Sequence, residues 1–196
     1  MHNNLTAIIL AGGHGSRMGG LDKGLVPFCN SPLISYAINA VVPHVSEIMI
    51  SANRSISKYK HFGYKVIKDE MTGGLGPLAG IYTGLLNCKT EYLISIPCDT
   101  PFLPDNLTTN LINSVHETNC NGAIPYTKLK NEKKLFHPTV MLLRTELKKS
   151  LADYLNNGGR KIKLWTDEEN FCEVFFDNEK HFENFNTLDD LKNEKN

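Results

Sequence analysis

Two short stretches hold most of the chemistry this sequence can perform. In AIILAGGHGSRMGGLDKG, residues 7–24, an apolar run stops at Gly12 and Gly13, and a glycine-rich stretch bearing Arg17 and Lys23 follows. Small residues and two cations suit a turn whose backbone N–H groups approach an anion while the guanidinium and ammonium add charge. The same composition also fits a glycine-rich turn with solvated Arg17 and Lys23. In ISIPCDTPFLP, residues 94–104, Asp99 directly follows an apolar run and lies between Pro97 and Pro101. Magnesium is satisfied by one or two carboxylates plus phosphate oxygens and water, so Asp99 is well placed to hold it. Taken alone, Asp99 is equally a turn-forming or capping aspartate. Taken together, a phosphate cradle and a metal-holding carboxylate at two strand ends are the parts of a nucleotide-handling site.

The familiar phosphate loops are absent. A Walker loop requires a Gly-Lys dipeptide, which the chain does not contain. A dinucleotide fingerprint would need a third glycine where Met18 stands, and an acid where the second strand instead runs into SANR, residues 51–54. No Ser-His-Asp or Cys-His pattern suggests a nucleophilic enzyme. The five cysteines, at 29, 88, 98, 120 and 172, include no C-x-x-C pair, which argues against a zinc knuckle or a dithiol redox site and for reduced thiols in a cytoplasm.

To act together, these residues need a scaffold that brings them to one edge. Apolar stretches at 5–11, 47–53, 64–69 and 91–97 read as strands; 32–42, 76–88 and 106–119 read as helices, and 122–127 as extended. Beyond residue 130 the pattern predicts a strand at 137–143, a helix at 145–157, a strand at 171–176 and a terminal helix at 187–195. This alternation predicts an α/β, doubly wound, mostly parallel sheet with helices on both faces, in a single domain over 1–196. Ligands of such sheets sit outside the carboxyl ends of the strands. The segments beginning at Gly12, at Ser51–Arg54, at Asp69 and at Cys98–Pro101 would then face one cleft.

Composition limits the partners. The chain has 196 residues, 41% hydrophobic and 21% charged with a net charge of zero, a balance that argues for neither nucleic acid nor membrane. No apolar run approaches the ~20 residues of a bilayer span. The N-terminus lacks a secretory pattern, so the sequons at Asn4, Asn53 and Asn106 are read as chance and the location as cytoplasmic. A monomer is expected.

The pattern L-A-G-G-x-x-x-R-M-G-G-x-D-K-G at 10–24, with GPLAG at 76–80, PCDTP at 97–101 and HPT at 137–139, resembles the molybdenum cofactor guanylyltransferase family, within the nucleotidyltransferases of the sugar-nucleotide type. The likeness runs from Ala7 to Leu191. It implies a Rossmann-like nucleotidyltransferase fold and transfer of GMP from GTP to the terminal phosphate of the molybdenum-molybdopterin cofactor, with release of pyrophosphate. It further implies dependence on Mg2+ and transient contact with the proteins that deliver and receive the cofactor. Residue by residue, the resemblance puts Leu10, Ala11, Gly12 and Gly13 at the guanosine and phosphate end. Arg17 and Lys23 neutralise the triphosphate, Asp69 and Ser51 contact the nucleotide, and Asp99 binds the metal. Arg17, Lys23 and Asp99 form the catalytic set; His137, Asn184 and Asn186 fall on the acceptor side.

Several of these assignments leave alternatives. His137 could serve as an acid or base, but an ordering or substrate-contact role is preferred, and residues 160–162 either meet the anionic cofactor or simply open a helix. His14 is expected to face solvent. Ser51 stands where the family usually carries asparagine, and the TGG at 72–74 is also unusual. The rival readings are a related transferase that uses CTP on the same pterin or an NTP on a sugar phosphate, and a non-catalytic nucleotide-binding regulator. Gly13 favours guanine, since the CTP enzymes typically read L-A-A-G.

Overall fold

Continuous apolar strands demand cover on both faces, and helices supply it. The structure is a computed structural model that describes residues 4–13, 21–71, 75–187 and 190–191. In chain order it contains β1 (Leu5–Leu10), the short strands β2 (Pro27–Phe28) and β3 (Ser31–Pro32), α1 (Leu33–Val41), β4 (Glu47–Ser51), α2 (Ile56–Lys60) and β5 (Lys65–Ile67). Then follow α3 (Pro77–Asn87), β6 (Tyr92–Pro97), α4 (Leu107–Thr118), β7 (Gly122–Lys128), β8 (Lys134–Phe136), β9 (Met141–Arg144), α5 (Lys148–Asn156), α6 (Ile162–Glu168) and β10 (Phe171–Phe175).

Alternation along the central strands sorts the core into two layers. Leu5, Ala7 and Ile9 of β1, Ile48 and Ile50 of β4, and Tyr92, Ile94 and Ile96 of β6 pack with α1, α4 and Tyr59 of α2. The residues between them, Ile8, Met49 and Leu93, face α3, α5 and α6 on the other side. A smaller cluster joins Val26, Phe28 and Leu33 to Phe185 and Leu191 near the C-terminus.

Among the described residues the main sheet has the order β10-β7-β9-β6-β1-β4-β5, with β8 also paired to β7. Its centre is parallel: β1 pairs with β4 and β6, and β4 with β5, all in the same direction. The doubly wound α/β expectation therefore holds, but the sheet is mixed, because β9 lies antiparallel to both β6 and β7. The cause is the link after β7. A parallel return needs a crossover of a dozen or more residues, usually a helix, whereas residues 129–133 make a tight hairpin closed by the Leu129 N–H donating to the Lys133 carbonyl at 3.0 Å.

The strand expected from His137 begins only at Met141; residues 137–140 form a turn in which the Val140 N–H donates to the His137 carbonyl at 3.0 Å. Residues 160–162 do lead into a helix, α6, which buries Trp165 with its indole N–H on Ser150 Oγ at 3.0 Å. Most of the terminal helix expected at 187–195 lies outside the described residues. No helix among the described residues is long and apolar enough to cross a membrane.

Candidate nucleotide cleft

The parallel centre points the carboxyl ends of β1, β4, β5 and β6 at one edge, where a cleft of about 480 Å³ opens. Leu10, Ala11, Gly12 and Gly13 line it from the end of β1. Ser51 and Asp69 line it from the ends of β4 and β5, Asp99 from beyond β6, and Lys23, Asn184 and Asn186 from loops. Arg17, His14 and residues 72–74 lie outside the described residues.

Lys23 occupies a 3-10 turn, Lys23–Leu25, and its ammonium donates to Asp99 Oδ2 at 3.1 Å and to Asn186 Oδ1 at 2.6 Å. Three distant segments thus meet at one cation. The Asp99 and Asn186 strands of chain are also stitched together directly. The Phe185 N–H donates to the Asp99 carbonyl at 2.9 Å, and Thr100 Oγ1 donates to Asn184 Oδ1 at 2.6 Å. Phe185 is buried edge-on against Phe28 and Phe102, with ring centroids 5.1 and 5.6 Å away, so an aromatic cluster presses this segment onto the site. Behind it, the Asp190 carboxylate accepts from the N–H groups of Asn186 and Thr187 at 2.7 and 2.8 Å. Burial works against that carboxylate, but the hydrogen bonds from Thr187 and Asn186 prevail and hold it below its usual range.

Asp69 is held in a fork. Ser51 Oγ donates to one carboxylate oxygen and Asn53 Nδ2 to the other, each at 2.7 Å, and the Asp69 N–H donates back to Asn53 Oδ1 at 3.1 Å. Serine thus reaches the carboxylate despite its short side chain. The nearby start of α3 depends on two glycines. Gly76 adopts φ +63°, and Pro77 follows in the first helical turn, where its missing N–H costs nothing. Gly80 lets the helix approach the strands; a Cβ there would sit 2.8 Å from Leu10 Cδ2 and 2.9 Å from Ser51 Oγ.

His137 does not line the cleft. Its Nε2 shares a hydrogen bond with Thr127 Oγ1 at 2.9 Å, and its ring stacks on Phe182 at 4.4 Å between centroids. Burial lowers its pKa from 6.5 to about 4, which leaves the ring neutral near pH 7. Its neighbour Thr139 does reach the cleft. Arg160 is likewise absent from the lining and donates to the carbonyls of Leu155 and Gly159 at 3.1 and 2.6 Å. Burial pushes the Cys98 thiol well up, so it sits beside Asp99 as a protonated packing residue.

Sequence reasoning did not single out Asp22, Asn53 or Thr139. Asn53 had a legible signal, standing in the polar SANR at a strand end; Asp22 stood beside Lys23 in the motif. Thr139 had only its place in HPT.

The atoms that accept from Lys23 are oxygens, of the Asp99 carboxylate and the Asn186 side-chain amide, and Asn184 lines the same cleft. Among the described residues no three His, Cys, Asp or Glu side chains group closely enough to bind a metal by themselves. One carboxylate with amide oxygens nearby matches a magnesium ion completed by phosphate oxygens and water.

Comparison with known proteins gives this cleft a context. Residues 7–169 match the family model described as the MobA-like NTP transferase domain. The chain is 39% identical over 190 residues to a molybdenum cofactor guanylyltransferase of Cupriavidus pinatubonensis, covering 97% of this chain and 96% of that one. It is 42% identical over 189 residues to one of Polynucleobacter asymbioticus, covering 96% and 94%. In fold it is similar to the crystal structure of the molybdopterin-guanine dinucleotide biosynthesis protein A of Archaeoglobus fulgidus, with a TM-score of 0.74 at 22% identity over 96% of this chain and 95% of that one.

Proposed function

Since the chain belongs to the family of MobA-like NTP transferase domains, we propose that it transfers GMP from GTP to the terminal phosphate of molybdenum-molybdopterin and releases pyrophosphate. The observation that carries this reading is the junction of Lys23, Asp99 and Asn186 at the mouth of a strand-end cleft. An acceptor phosphate oxygen is already anionic, so no general base is needed. That oxygen forms a bond to the α-phosphorus of GTP, the bond from phosphorus to the β-phosphate oxygen breaks, and pyrophosphate departs with its electron pair. The obstacle is the approach of two anions in line, and the protein meets it by positioning and by charge.

Lys23 supplies a fixed ammonium where charge builds at the α-phosphate. Asp69, held by Ser51 and Asn53, fixes the nucleoside end, and the backbone from Leu10 to Gly13 offers close approach to base and phosphates. Asp99 would hold magnesium with Asn184 and Asn186 beside it, and the ion when bound supplies a second positive charge on phosphate oxygens. Arg17, in the glycine-rich stretch of the sequence, adds charge. Five free cysteines support a reducing compartment such as the cytoplasm.

The test is incubation with magnesium, GTP and molybdenum-molybdopterin, with pyrophosphate and the guanylylated pterin measured. GTP is expected to support transfer and to raise the melting temperature more than CTP, ATP or UTP. A site that hydrogen-bonds a base edge rejects bases that leave its buried groups unpaired. Equal turnover of CTP would overturn the choice of base, and no pyrophosphate release with any nucleotide would overturn the reaction.

A further inference from the structure

At the wall of the cleft, where Asp22 is one of the lining residues, lies a polar cluster inside an otherwise apolar layer. Tyr59 of α2 has no exposed surface, and its hydroxyl donates to Asp22 Oδ1. Arg54 Nε lies 3.6 Å from the other Asp22 oxygen, and Arg54 Nη2 donates to the Leu21 carbonyl at 2.8 Å. The Asp22 side chain is only 8% exposed. Burying a carboxylate is costly even when it is paired, and an apolar side chain would complete this layer with less loss.

What the cluster grips is the turn that carries Lys23. The Asp22 carbonyl accepts from the Leu25 N–H at 2.9 Å, and the Lys23 carbonyl from the Val26 N–H at 3.1 Å. Asp22 and Lys23 are adjacent but diverge: Asp22 turns down to Tyr59, and Lys23 turns up to Asp99 and Asn186. The next residue is gripped as well. A Cβ on Gly24 would lie 2.7 Å from Tyr59 Oη and 3.3 Å from Cys98 Sγ, so this backbone is wedged between the tyrosine hydroxyl and the sulfur that precedes Asp99. Tyr59 therefore touches both chain neighbours of Lys23.

We infer that Tyr59, assisted by Arg54, is a positioning residue for guanylyl transfer, acting through Asp22 and Gly24 to set the direction in which Lys23 enters the cleft. The inference rests on the transfer reaction proposed above. A lysine is a compact charge on a flexible four-carbon stem. Its ammonium returns to one place in each turnover only if the backbone beneath it is fixed. Tyr59 is suited to that task, because burial raises its hydroxyl far above the ordinary phenol range and keeps it a donor.

A double-mutant cycle tests this, with GMP transfer followed from radiolabelled GTP so that slow residual rates are read. Tyr59→Phe keeps the ring in the core and removes the hydroxyl. In the parent background it is expected to lower kcat about tenfold while KM for GTP stays within about twofold, the signature of a misplaced transition-state contact. In a Lys23→Ala background the same change is expected to leave the residual kcat unaltered, while the melting temperature falls equally in both backgrounds. Equal fold-losses of kcat in the two backgrounds would overturn the inference, since the hydroxyl would then act independently of Lys23. Failure of the parent to transfer GMP is a distinct outcome that removes the reaction and the inference with it. Should Tyr59→Phe not fold, the same cycle is run with Arg54→Ala, whose side chain is 33% exposed, and is read by the same criteria.

Discussion

Lys23 and Asp99 share a 3.1 Å contact, yet their removal is expected to fail in different ways. Asp99→Asn keeps the shape and a carbonyl oxygen but loses the charge that anchors a metal. GMP transfer is expected to fall by about two orders of magnitude, and added magnesium is expected to recover part of it. Lys23→Ala removes charge that meets the α-phosphate directly, so a similar loss is expected with no recovery. A magnesium titration of both variants separates the roles, and rescue of Lys23→Ala alone would reverse them. The fork on Asp69 sets a second contrast. Asn53→Ala removes both an acceptor and a donor, Ser51→Ala one donor only. At ~0.5–1.5 kcal/mol for each net hydrogen bond, GTP affinity is expected to drop about tenfold for Asn53→Ala and about threefold for Ser51→Ala. Calorimetric titration of GTP reads this, and a larger loss from Ser51→Ala would show that serine carries the contact.

At the scale of elements, the cleft exists because α3 can lie close on β1 and β4. Gly80→Ala would place a methyl 2.8 Å from Leu10 Cδ2 and 2.9 Å from Ser51 Oγ, so those side chains or the helix must give way. A loss of about 1–3 kcal/mol is expected from such overpacking, together with weaker GTP binding, because both residues struck line the cleft. Denaturant melts and a GTP titration of the same variant check the pairing of effects; lost stability with unchanged affinity would show that α3 yields away from the site. These elements were legible for stated reasons. The strands β1, β4 and β6 read clearly because burial on both faces makes them unbroken apolar runs, and Gly76 with Pro77 marks the start of α3. The direction of β9 was not legible, since an apolar run such as VMLL says nothing of whether a hairpin or a crossover precedes it. Lys23 and Asp99 announced themselves as charges after glycines and between prolines. Tyr59 gave no signal: its partner Asp22 is 37 residues away, and no period or spacing connects a core tyrosine to a distant turn.

For the whole molecule, His137 sets a pH dependence of stability. Its pKa is about 4 in the folded protein, against an ordinary 6.5. Above pH 6.5 both folded and unfolded chains hold it neutral, and stability is fully present. As pH falls through the interval from 6.5 to about 4, the unfolded chain takes up a proton that the folded one refuses, and stability is lost. Discounted for partial exposure, the loss is of the order of 2 kcal/mol. The stability of the parent relative to His137→Gln is expected to shrink by about that amount across the interval and to level off below it. Melts of both proteins over this range provide the check, and a constant difference would contradict the burial assigned to this ring.

The hydrogen bond from Lys23 to Asn186 spans 163 residues of chain. On a ribosome those two residues emerge at very different times. The parallel heart of the sheet has been made once Pro97 has appeared, and the last helix that covers it once Glu168 has, so a growing chain holds the elements of its scaffold before the asparagines arrive. During that interval it owns those elements without a finished site. Only when Phe185 seats between Phe28 and Phe102 does the ammonium gain its last partner. The cleft is therefore assembled from the two ends of the chain, and an unfinished copy lacks the asparagine partner of Lys23.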